Sequence, residues 1–140
     1  MKSANKKTII KYLDNQQTLQ FYKKIKKSFF DVFSEMDHQE FNNITRNLIL
    51  MVLDSGGIAQ VMHFPPCLEN IQVLQMEIPK NMPIAVMRYI VAHELGHVTQ
   101  GRNWKKEDGN NLEIDADEKA ANWGFRRTKS INSWLKNFRP

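Results

Sequence analysis

His93-Glu94-Leu95-Gly96-His97 sets two imidazoles four residues apart, with a carboxylate directly after the first. On a helix such residues share a face, so His93 and His97 can grip one metal ion while Glu94 stands beside a water on it. The chemistry this permits is hydrolysis by a metal-activated water, and zinc is the ion whose preference for imidazole and carboxylate ligands fits best. A lone histidine on an apolar face is more often a satisfied core residue than a ligand. Two at this spacing with a glutamate between them reverse that preference.

Catalytic zinc sites usually combine three protein ligands with one open position for water. A metzincin extension, HExxHxxGxxH, would need Gly at position 100 and His at position 103, where this chain has Gln100 and Asn103. The third ligand must therefore be a carboxylate, and Cys67, the only cysteine, excludes both a thiolate cluster and an internal disulfide. Asn111 to Phe125 offers Glu113, Asp115, Asp117 and Glu118. At about 100° per residue, Leu112, Ala116, Lys119, Ala120 and Trp123 share one side of a helix. Glu113 and Asp115 flank that side, whereas Asp117 and Glu118 read as solvated acids.

These groups need elements to hold them. Pro83 suits the first turn of a helix, and Ile84, Met87, Val91, Leu95 and Val98 recur at helical spacing until Gly101 offers a stop. Ile58 to Phe64 and Ile71 to Ile78 read as two strands of a small sheet, separated by Pro65 and Pro66 and closed by Pro79. Thr8 to about Phe33 predicts one or two amphipathic helices, and a further helical pattern runs from Asp37 to Leu53 before the glycines at 56 and 57. The expected fold is α+β: N-terminal helices, a sheet of two or three strands, the motif helix, and a ligand-bearing helix after it.

The chain has 140 residues and a formal charge of +5, which suits one domain spanning 1–140, with a basic helical segment over 1–36. Lysines crowd that segment and Arg126, Arg127, Lys129, Lys136 and Arg139 crowd the other end, with acidic residues over 107–118 between them. Lysine runs on helices are commonly solvated faces, and no recognition motif is present, so nucleic-acid binding is the less favoured reading. No stretch approaches the roughly 18 apolar residues of a membrane span. The basic start leads into the mixed segment Thr8-Ile-Ile-Lys-Tyr-Leu-Asp, with no apolar signal region, so a soluble cytoplasmic protein is expected.

Tyr89-Ile-Val-Ala-His-Glu-Leu-Gly-His-Val, followed by Glu113-Ile-Asp-Ala-Asp-Glu-Lys-Ala-Ala-Asn-Trp-Gly-Phe, resembles small bacterial and phage zincin peptidases of the gluzincin type, including the ImmA/IrrE family. There, HELGH precedes a helix of the form ExEADxxA. On that pattern Ala116, Asp117 and Ala120 match, and Asp115 takes the place of the third metal ligand, normally Glu. The resemblance, which covers roughly residues 83–125, implies a zincin-like metallopeptidase domain with His93, His97 and Asp115 on Zn²⁺ and Glu94 as the base. Asp is one methylene shorter than Glu, so the second helix must come closer or Glu113 must take the role. Asp115 is the preferred ligand.

The expected activity is a zinc-dependent endopeptidase acting on a protein or peptide, with a repressor in a phage or mobile element as the substrate the resemblance suggests. The strand Ile71 to Ile78 would hold an extended peptide by strand addition. The alternative is a metal-binding scaffold without turnover whose basic ends meet nucleic acid or an acidic partner. Tyr89, His63 and Arg102 are candidates for stabilising an oxyanion, though each is more readily structural. Trp104 and Trp123 read as core before pocket, and Cys67 as a small buried hydrophobe.

Overall fold

A computed structural model describes residues 2–53, 59–63, 71–77, 81–101 and 109–138, apart from the side chain of His63. Arg102, Trp104, Cys67 and that histidine side chain lie outside it. The architecture is α+β, with six α-helices and a three-stranded mixed sheet among the described residues.

The lysine-rich N-terminal segment folds as Lys6–Asp14 (α1), a 3-10 turn Gln17–Phe21, and Lys23–Phe33 (α2). Asn5 caps α1 by accepting from the Lys7 amide at 2.8 Å. Ile25, Ser28, Phe29, Val32 and Phe33, spaced three and four apart, form the buried stripe of α2. Phe33 meets Tyr12 and Phe41 edge to face at 5.8 and 5.1 Å.

The helix expected over Asp37 to Leu53 stops early. His38–Thr45 (α3) is helical behind the capping carboxylate of Asp37, and Leu48–Leu53 is instead a strand, β1. Six consecutive apolar residues fit a buried strand as well as a helix. Here Leu48, Leu50 and Val52 alternate into the core because β1 pairs in parallel with Gln72–Glu77 (β3). Ala59–His63 (β2) runs antiparallel to β3, giving the order β1-β3-β2.

The two strands predicted from sequence are thus present, but β3 lies in the centre and has no free edge. The outer edge of β1 is blunted by side chains: Leu50 N–H donates to Gln16 Oε1 at 2.9 Å, Val52 N–H to Thr18 Oγ1 at 3.1 Å, and Tyr12 donates to Leu48 O at 2.8 Å. The edge of β2 away from β3 carries no strand among the described residues.

Ile84–Gln100 (α4) is the motif helix, starting after Pro83 and ending at Gly101, whose φ of 59° favours glycine. It is buried on most sides and packs chiefly on α2 and on Gly109–Asn122 (α5). Arg88 ties it to α2 through Asp31, with Nη2 at 2.7 Å from Oδ2, and Lys24 of α2 donates to Met82 O just before it. Gly96 lets α5 come very close, since a Cβ there would stand 2.9 Å from Ala116 Cα. Lys129–Asn137 (α6) follows, capped by Thr128. Trp123 is buried in the core, as expected, and donates from Nε1 to Glu40 Oε2 at 3.0 Å. None of the described helices is long and apolar enough to cross a membrane.

Candidate metal centre

α4 presents His93 and His97 on one face, with Nε2 atoms 3.1 Å apart. Across from them α5 brings Glu113: Oε2 lies 2.9 Å from His93 Nε2, and Oε1 lies 3.2 Å from His97 Nε2. Among the described residues these three side chains form the group whose donor atoms converge tightly enough to hold a metal ion.

Asp115, preferred as third ligand from sequence, is turned elsewhere. Its Oδ2 accepts from Gln100 Nε2 at 3.1 Å. The reason is the line along which the helices meet. Contact between Gly96 and Ala116 centres the facing side of α5 on Ala116 and Ala120, both fully buried. Around that line Glu113 is displaced by about 40°, Asp117 by about 80° and Asp115 by about 120° in the opposite sense. Glu113, Ala116, Asp117 and Ala120, at helical steps of three and four, are thus the face toward the histidines.

Asp117 is accordingly not a free solvated acid. Its Oδ1 lies 2.7 Å from His93 Nδ1 and accepts the hydroxyl proton of buried Tyr89. Tyr89, weighed for an oxyanion role, is thereby a support for this carboxylate. Burial pushes its phenol pKa up, the Asp117 hydrogen bond and charge add to that, and Arg127, 5.8 Å from the ring centroid, opposes it.

Each of the two Nδ1 atoms faces an oxygen acceptor. Asp117 offers only acceptors to His93 Nδ1, and in the neutral tautomer with its proton there the Nε2 lone pair faces the centre. His97 Nδ1 meets Gln100 Oε1 at 2.8 Å, and the same tautomer of His97 turns its Nε2 lone pair the same way. In that tautomer two imidazole lone pairs and a carboxylate converge. The set could hold a metal ion, and its composition suits zinc.

Glu94 lies beside the pair, and no described side chain hydrogen-bonds its carboxylate. Burial raises its proton affinity first of all; His93 and His97 lower it, and Glu113 raises it again. Glu94, His97, Glu113, Gln100 and Leu112 form one wall of a cleft of about 610 Å³, and Ala59 to Met62 of β2 form the other. No protein-family model matches this chain, and no curated protein or solved structure matches it either.

Proposed function

We propose that this chain is a zinc-dependent endopeptidase of zincin type, with His93, His97 and Glu113 as the metal ligands and Glu94 as general base. The observation that carries the reading is the convergence of two imidazoles and a carboxylate beside Glu94, on one wall of a cleft whose other wall is β2, a strand with no partner on its far edge among the described residues. The resemblance of HELGH and residues 113–125 to ImmA/IrrE-like peptidases supports the same class, with Glu113 taking the place first given to Asp115.

Zinc held by this set would polarise a peptide carbonyl and acidify the attacking water. Glu94 takes the proton of that water on its carboxylate and returns it to the departing amine nitrogen, so the carboxylate is regenerated each turn. Asp117 and Gln100 hold the imidazoles in the tautomer that ligation requires. The edge of β2 binds an extended substrate segment by main-chain hydrogen bonds, with the segment lying between β2 and the motif helix. This is the role that β3, paired on both sides, cannot fill. A regulatory protein such as a repressor, exposing an extended segment, is the substrate that the resemblance suggests.

The test is Glu94→Gln in zinc-loaded protein, assayed on a set of fluorogenic peptides. Zinc is retained and hydrolysis falls by roughly 10²- to 10⁴-fold. Unchanged hydrolysis removes Glu94 from the mechanism, and wild-type zinc protein that cleaves nothing points to the scaffold without turnover.

A further inference from the structure

Gln100 ends the motif helix one turn beyond His97 and is bonded at both ends of its amide. Nε2 donates to Leu112 O at 2.8 Å and to Asp115 Oδ2 at 3.1 Å. Both partners are pure acceptors, so the amide cannot be flipped: both N–H bonds must face α5, and Oε1 must face His97 Nδ1, 2.8 Å away.

We propose that Asp115 and Gln100 form a relay that positions His97, with Asp115 locking the Gln100 amide so that its oxygen holds the Nδ1 proton and Nε2 stays free for a metal ion. This rests on the reading of His97 as a ligand. It gives Asp115 a function as a carboxylate acting through Gln100. It also makes Gln100 the partner of His97 as Asp117 is the partner of His93, so each imidazole is oriented by a group that α5 holds in place. Acceptors of this kind tune the affinity of the ligand they hold, and losing one typically lowers metal affinity by 10- to 100-fold.

The experiment measures zinc affinity by chelator competition on the full chain, with Co²⁺ absorption as a report on ligand geometry. Gln100→Leu keeps the bulk and removes all three hydrogen bonds of the amide; the affinity falls by about 10- to 100-fold and the Co²⁺ bands shift. Asp115→Ala removes one of the two acceptors that lock the amide, and Asp115→Asn restores it, since the Asn side-chain oxygen still accepts from Gln100 Nε2. Affinity falls by up to about 10-fold in the Ala variant and returns to within about threefold of wild type in the Asn variant. Wild-type affinity in Gln100→Leu or in Asp115→Ala overturns the relay, and so does an Asp115→Asn variant as weak as Asp115→Ala, because an acceptor restored at that position should lock the amide again. On the wild-type protein itself, ¹⁵N NMR of neutral His97 shows the proton on Nδ1; a proton on Nε2 contradicts the proposal without any variant. A wild-type chain that binds no zinc fails the metal centre as a whole, an outcome distinct from a failure confined to Gln100.

Discussion

Gly96→Ala separates the packing that builds the site from the stability of the fold. Carbon atoms rest about 3.5 Å or more apart, yet a Cβ at position 96 would stand 2.9 Å from Ala116 Cα and 3.0 Å from Ala116 O. Both obstacles are backbone, so the two helices must part by roughly 0.6 Å. Overpacking of this kind costs about 1–3 kcal/mol, and alanine in place of glycine inside a helix returns about 1 kcal/mol. The net destabilisation is therefore about 0–2 kcal/mol, a fall in melting temperature of no more than about 8 °C. The site is less forgiving, because Glu113 and Asp117 ride on the displaced helix and such constellations tolerate only about 0.5 Å. Zinc affinity should fall by at least about tenfold. Thermal unfolding of the metal-free variant and chelator competition measure the two effects separately. A variant that is destabilised but binds zinc within about twofold of wild type would refute the idea that this contact sets the ligand geometry.

Two further outcomes are expected. Asp117→Ala leaves the Tyr89 hydroxyl and His93 Nδ1 without their acceptor, lowering stability by about 1–3 kcal/mol and zinc affinity by about 10- to 100-fold, whereas Asp117→Asn keeps an acceptor and loses less; equal affinity in the Ala variant would count against the support role. Stability should also fall as pH rises above about 10, since burial raises the folded-state pKa of Tyr12 and Tyr89. The unfolded chain ionises there while the folded chain stays protonated. Denaturant titrations at pH 9 and 11 check the direction, and Tyr12→Phe should flatten part of the slope.

The motif helix was legible because punctuation fixed both its ends, Pro83 and Gly101, and the pair His93 and His97 followed from spacing alone. β1 was not, since an unbroken run of six apolar residues carries neither period, and only its parallel partner β3 decides for a strand. The carboxylate facing the histidines was placed at Asp115, with Glu113 as the alternative, for a similar reason. A helical wheel drawn through Leu112, Lys119 and Trp123 tilts the face of α5 toward Asp115. The contact of Gly96 with Ala116, a relation between two helices, turns it toward Glu113 instead. A signal did exist in the sequence: Glu113, Ala116, Asp117 and Ala120 fall at steps of three and four, with two small residues to admit a neighbour. Gln100 offered only the absence of a metzincin glycine, and its partners come from the approach of α5.

Anomalous scattering at the zinc edge from crystals of the zinc-loaded protein tests the central claim most directly. The expected result is a single strong peak about 2.0–2.2 Å from Nε2 of His93, Nε2 of His97 and a carboxylate oxygen of Glu113. A peak with Asp115 in the coordination sphere in place of Glu113, or one away from the two histidines, would contradict the account.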